Sequence, residues 1–161
     1  MESDKLTIEE QVTNNETRIH IQRVAHYLNE FIKTLLCRAE HHDRTKLEHP
    51  EVEIFAKYTQ KLKGLTYGSD EYKQCLAEMK PALDHHYQCN FHHPECYANG
   101  IDGMTLIDLI EMYCDWVAAG ERHANGNFHR SLEVNQGRFG MSDQLVKIFE
   151  NTYNYDYSEE L

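Results

Sequence analysis

Five segments of this 161-residue chain carry side chains that can hold a metal: His20, the pair His42-Asp43, His86, the pair His92-His93, and Asp115. Neutral imidazole and carboxylate are ligands of transition metals. No two neighbouring segments have the spacing of a zinc finger, so the set works only if the fold gathers it. An aspartate next to a histidine ligand can bridge two ions. A pair of ions activates water against a phosphate ester. The residue types therefore point to a metal-dependent hydrolase.

A ligand must face inward, and helical phase selects among the histidines. At about 100° per residue, the apolar stripe of residues 16–38 centres near Leu28. His20 lies toward the edge of that stripe, one turn before Val24, and His26 falls nearly opposite. His20 is the expected ligand and His26 the solvent-facing residue. The same test favours His86, which follows Tyr72, Met79 and Leu83 on an inner face, over His85. Asn90 comes one turn after His86 and is a candidate to orient a ligand or substrate. His41 and His49 read as exposed loop residues, and His123 and His129 lie in polar sequence. A histidine on an apolar face is more often a hydrogen-bonded core residue than a ligand, so order and number carry the reading.

Asp108, Glu111 and Asp115 follow i, i+3, i+7 and share one helical face close to Ile107, Ile110, Cys114 and Ala118. Acids beside a core stripe are costly unless paired or metal-bound. A solvated stripe edge is the plain alternative for Asp108. Asp115, followed by Trp116, the one tryptophan of the chain, is expected to be buried. Cys114 sits among apolar residues and is expected in the core.

The elements that must position these groups read as helices. Apolar residues recur at spacings of three and four, and strand-like alternation is scarce. Thr7-Ile8-Glu9-Glu10 forms a capping box for a short N-terminal helix. A long helix is expected from about Glu16 to Arg38. Pro50 opens the next helix as its first residue. Ser69, followed by Asp70 and Glu71, starts another, which Pro81 should kink or restart. Residues 92–103 read as a loop, and Thr105-x-x-Asp108 caps a helix running through Ala119. Residues 120–140 resist assignment. Ser142 caps a last helix. The expectation is an all-α single domain over residues 1–161 of five to seven helices, with a core at about 17–152 and an acidic, tyrosine-rich tail at 153–161.

Sixteen Lys and Arg against 27 Asp and Glu give a formal charge of −11. That charge disfavours nucleic-acid polymers and anionic membranes as partners. A phosphate substrate would need local positive charge, which metal ions supply. The five cysteines contain no C-x-x-C pair. The polar N-terminus has no apolar h-region, and no stretch approaches the ~18 apolar residues of a membrane span. A cytoplasmic protein with reduced thiols is expected.

Taken together, these residues resemble the HD-domain superfamily of metal-dependent phosphohydrolases. The family order is an early His, an adjacent His-Asp, and a distant Asp on a later helix. His20, His42-Asp43 and Asp115 match it. Branches with many histidines add ligands between the pair and the last Asp, where His86 and His92-His93 stand. The segment HDRTK contains the frequent His-Asp-x-x-Lys form. His92-His93-Pro94-Glu95 and Asp102-Gly103 are similar to part of the cyclic-dinucleotide phosphodiesterases of that superfamily, without their following Gly-Tyr-Pro. The match over residues 17–152 is closer to small uncharacterised bacterial and phage-encoded HD-like proteins, through HIQRV, HDRTK, HHYQCNFHHPE and MTLIDLIEMYCDW.

The resemblance implies the HD helical fold and one or two divalent ions (Mn, Fe, Co, Ni or Zn). His20, His42, Asp43 and Asp115 would hold the first. Asp43 would bridge to a second, completed by His86 and by His92 or His93. Lys46 would touch substrate phosphate, or simply be a surface lysine after a turn. Glu51 would support the ligands, or simply favour its helix N-terminus. Glu111 would orient a ligand histidine. Arg138 would clamp a phosphate, or bridge surface acids. The expected substrate is a small phosphate ester, first of all a nucleotide. Two other classes stay open: a di-iron oxygenase with a similar His/Asp set, and a non-catalytic helical binding protein.

Overall fold

The computed structural model describes residues 6–65, 69–121 and 126–155. It is all-α. Six α-helices run in the order α1 (Ile8–His41), α2 (Glu51–Lys63), α3 (Asp70–Cys89), α4 (Leu106–Glu121), α5 (Phe128–Phe139) and α6 (Asp143–Tyr153). Short 3-10 turns occupy Arg44–Leu47, Pro94–Cys96 and Gly100–Gly103. No strand occurs among the described residues. His123 and the tail from residue 156 lie outside them.

Where the sequence suggests one domain, internal contacts divide the chain into two units, Met1–Glu40 and His41–Leu161. The first is helix α1. The capping box and the long helix, expected as two elements, form this one continuous helix. Its start is capped as the sequence predicts: Thr7 N–H donates to Glu10 Oε2 at 2.7 Å, and Glu10 N–H donates back to Thr7 Oγ1 at 3.2 Å. Residues 13–18 are polar but contain no Gly or Pro, so nothing interrupts the i→i−4 ladder between the two expected pieces. None of the 34 residues of α1 is buried.

The second unit holds two hydrophobic clusters. Tyr58, Cys75 and Met79 lock α2 against α3, with Phe55 and Leu83 packed alongside. Met112, Phe128, Leu132, Met141 and Phe149 join α4, α5 and α6. Ser69 caps α3 by accepting from Tyr72 N–H, and Ser142 caps α6 by accepting from Leu145 N–H, both as expected. Pro50 precedes α2 as its cap rather than serving as its first residue. Pro81 neither ends nor restarts α3, whose helical assignment continues through it. Residues 128–139, which the sequence leaves unassigned, form α5, opened by Asn127 and closed by Gly140 in the left-handed conformation at φ 63°.

Helix α4 corrects one further expectation. Cys114 is exposed. The inward face of the helix is the one carrying Asp108, Glu111 and Met112, all buried. Cys114 is two residues past Met112, roughly 200° around the helix, and so points away. The face that looks costly in the sequence is the one the fold covers.

Candidate metal centre

All the convergent side chains belong to the second unit. His42 and Asp43 follow directly on the end of α1. Asp43 takes φ 55° and ψ 13°, a left-handed conformation that aspartate tolerates better than most residues. This bend stops the helix and starts the turn Arg44–Leu47, with Lys46 N–H donating to Asp43 C=O at 2.9 Å. His86 lies in the last turn of α3. His92 and His93 precede the turn Pro94–Cys96. Glu111 and Asp115 sit one turn apart on α4.

Three overlapping groups of donors form, each with its candidate atoms within 4.8 Å of one another. One is Asp43, His86, His92 and His93. Another is His42, Asp43 and Asp115. The third is His42, His92 and Glu111. Asp43 is common to the first two, the position that the resemblance implies for a bridging carboxylate. Asp43 Oδ1 lies 3.1 Å from His86 Nε2 and 3.5 Å from His92 Nε2. His42 Nε2 lies 3.7 Å from Asp43 Oδ2 and 3.7 Å from Asp115 Oδ1.

Two buried glutamates decide which ring nitrogens face this centre. Glu111 Oε1 accepts from His42 Nδ1 at 2.9 Å and stands 3.1 Å from His92 Nδ1, out of hydrogen-bond alignment. Glu51 is fully buried and takes His86 Nδ1 at 3.0 Å and His85 Nδ1 at 2.7 Å. The opposite nitrogen of His86, Nε2, faces Asp43 Oδ1 at 3.1 Å and His93 Nε2, 2.9 Å away. Carboxylates behind histidine rings are the usual supports of metal sites. Glu51 and Glu111 stand behind the rings of His86 and His42.

The donors crowd together with too little positive charge among them. Asp43 Oδ1 and both nitrogens of His92 are buried without a hydrogen-bond partner. Unpaired buried polar atoms are costly, and a cation in contact with several of them removes that cost. A divalent ion therefore fits this set. Lys46 Nζ donates to Asp43 Oδ2 and supplies part of the missing charge. A proton on His42 supplies more: the carboxylates of Asp115 and Glu111 beside the ring raise its pKa to about 10, against the effect of burial. For Asp43, burial opposes ionisation, but the His86 ring beside it and the hydrogen-bonded Lys46 ammonium outweigh that and hold the carboxyl well below its usual range. Burial likewise opposes ionisation of Asp115, and the His42 ring beside it overcomes that. Burial, with His92 and His86 beside it, lowers the pKa of His93 to about 3, so its ring is neutral and available as a ligand.

Other expected residues stand elsewhere. His20 and His26 are both exposed on α1, and His20 lies about six turns before the helix end at His41. His20 is in none of the convergent groups. Helical phase gives no guide along α1, because none of its residues is buried. Arg138 forms an ion pair with Glu95 at 2.6 Å, the surface-acid role, and lies over the Phe139 ring. Asn90 is buried and donates to Thr45 Oγ1 at 3.0 Å and to His86 C=O at 2.8 Å, which makes it a brace for His86. Asp108 closes the N-terminus of α4, accepting from Thr105 N–H and Oγ1 and from Tyr97 OH. His49 pairs with Glu53 on the surface.

Sequence reading missed Thr45, whose Oγ1 lies 3.1 Å from His86 Nδ1. A threonine two residues past Asp43 carries no signal of its own. It also missed His85, which shares Glu51 with His86. Its neighbour is the residue with the inward phase, and the short reach of an exposed ring around the helix is invisible to periodicity.

Comparison with known proteins adds a family. A family model described as "Family of unknown function (DUF5662)" matches residues 9–155. The chain belongs to this family. The match spans the exposed helix, every convergent donor and α6, so the centre lies within what the family shares in extent. Its description assigns no activity. No curated protein and no solved structure matches the chain.

Proposed function

We propose that this protein is a metal-dependent phosphohydrolase that cleaves a small phosphate ester, first of all a nucleotide. One or two divalent transition ions would be held by His42, Asp43 and Asp115 on one side and by Asp43, His86, His92 and His93 on the other. The observation that carries this reading is the sharing of Asp43 between two convergent donor groups, with its Oδ1 orphaned. Bound ions would acidify a water and offset charge on phosphoryl oxygens.

The chain's own residues divide the remaining work. Glu51 and Glu111 fix ring orientation, so that Nε2 atoms rather than Nδ1 atoms meet the centre. Lys46 stands beside Asp43 and offers a point charge to a phosphate oxygen once a cation takes over the carboxylate. A cavity of about 380 Å³ lined by Asp84, Tyr87, Gln88, Glu95 and Cys96 lies beside this region, its Tyr87 ring 5.0 Å from that of His93. Its volume falls within the range of small-molecule sites. Its acidic, aromatic lining suits a base or sugar better than a phosphate. No described helix is long and apolar enough to cross a membrane, which agrees with a small-molecule substrate met in water.

The test is phosphate release from a panel of nucleotides and simple phosphate esters, with Mn, Fe, Co, Ni and Zn supplied in turn to metal-stripped protein. Release that depends on metal and disappears in Asp43→Ala supports the reading. Metal-loaded, folded protein that releases no phosphate but consumes oxygen with an organic substrate replaces it with the oxygenase. Protein that does neither is a binding module.

A further inference from the structure

Helix α1 carries Ile21, Val24, Leu28, Phe31 and Leu35 at alternating spacings of three and four. That is the seam of a two-helix coil, in which each apolar side chain sits in a hole on the facing helix. Ile21 is 59% exposed, Leu28 59% and Phe31 42%. Leu35 is only partly buried. Most helical stability in proteins comes from packing an apolar face. The continuous helix over Ile8–His41 therefore calls for something to cover this stripe.

We infer that the occupant is α1 of a second copy, and that the protein is a dimer joined through this helix. The charge pattern selects it. The positions flanking the seam are His20, Ala25, Tyr27, Ile32 and Thr34, none with a fixed charge. Between residues 20 and 36 the charged residues are Arg23, Glu30 and Lys33, each roughly 90° or more from the stripe centre. Arg23 alone turns toward the rim, donating to Tyr27 OH at 2.8 Å. A face that meets its own copy must not set like charges against each other, and this one does not. An acidic or basic partner would find nothing along it to pair with.

The area agrees. The exposed apolar side chains of the stripe and its flanks amount to roughly 600–800 Å², near the ~800 Å² that each partner contributes to a stable interface. An isologous two-fold pair uses the same patch on both chains and closes on itself, so it does not grow into fibres. With −11 on each chain, two copies repel at long range. Added salt should screen that repulsion and tighten the pair, whereas it would weaken an oppositely charged partner.

Sedimentation equilibrium of the full chain, from low to high micromolar, tests this. The expected mass is twice the 19.0 kDa of one chain, shifting further to dimer in high salt. The double change Leu28→Glu with Phe31→Glu should give monomer, while Lys33→Glu on the opposite face should leave the dimer intact. A cooperative thermal unfolding transition of the double variant reports that its second unit is still folded, so the outcome is separate from that of the proposed activity. Should the double variant not fold, amide exchange on the wild type decides. Protection across residues 21–35 should rise with protein concentration. A wild type that stays monomeric at high concentration, a dimer that survives the double change in folded protein, or concentration-independent protection across 21–35 would overturn the proposal.

Discussion

Helix α1 presents Ile21, Val24 and Leu28 at helical spacing and buries none of its 34 residues, whereas the shorter α4 buries an aspartate and a glutamate beside Met112. By the spacing of their apolar residues alone the two helices look like similar clients of a core. The difference lies in what stands opposite each face. For α4 it is Phe128, Leu132 and Phe149 for the apolar part, and the imidazoles of His42 and His92 for Glu111. An apolar stripe says that a face prefers cover and nothing about its source. Acids on a covered face are more informative, because each must find a proton donor or a cation. Asp108 finds Thr105 and Tyr97, so it is structural. Glu111 and Asp115 find histidines, which places them in the candidate metal centre.

The largest effect on this contrast should come from Asp43→Ala. The change removes the one side chain shared by both donor groups of the centre. Metal content after dialysis, read by elemental analysis, should fall to background. Retention of stoichiometric metal by folded D43A protein would show that Asp43 is not a bridge. Next in size is Glu111→Gln on α4, which keeps shape but removes the charge behind His42. Loss of such a supporting carboxylate typically lowers metal affinity by about 10–100-fold. Glu51→Gln should behave alike through His86. Titration calorimetry with one chosen metal reads both. An affinity unchanged in both variants would demote the two glutamates to plain packing.

Much of the fold is legible in the sequence because its signals are local. Ser69, Ser142 and the Thr7/Glu10 box mark helix starts, and each makes its capping bond. The boundaries that differ are those where a local rule meets a wider context: Pro81 does not restart α3, and the polar residues 13–18 do not separate two helices. The centre is legible in residue type, since His42, Asp43, His86, His92, His93 and Asp115 do gather. His20 is not among them. Helical phase can tell which side of a helix would face a core, but not whether that helix has one. Cys114 fails for a related reason: apolar neighbours in sequence are not neighbours around a helix.

A third effect is set by protons. In metal-free protein His42 is held protonated up to about 10, with Asp115 and then Glu111 as the causes. A raised folded-state pKa contributes stability that is fully present below the unfolded value near 6.5 and is lost as pH rises through about 10. Metal binding at His42 must displace that proton. Apparent metal affinity should therefore climb with pH between these limits, by about tenfold per unit where one proton is released. Metal-free protein should lose thermal stability over the same interval, while the metal-loaded form should hold its stability better. Equal affinities at both ends of the interval would mean that the ion does not use His42 Nε2. In Asp115→Asn the pH slope should flatten, since the first of the two groups holding the proton is neutralised.

The smallest effect is the one that separates α1 from the centre most cleanly. The resemblance to HD-domain enzymes implies a ligand at His20, yet that residue is exposed on α1 and joins no convergent group. The second unit already supplies three imidazoles around Asp43 and a fourth in His42, so the donor count does not require another. His20→Ala should leave metal affinity within about twofold of wild type, a free-energy change smaller than the ~1.4 kcal/mol of a tenfold step. Alanine is also the better helix former, so α1 should be no less helical. The measurement is the same titration used for the Glu111 and Asp43 variants, run on dilute and concentrated protein. A tenfold loss at both concentrations would put α1 in the metal centre and erase the contrast between the two helices. A loss seen only where the protein associates would instead tie the centre to the paired form of α1.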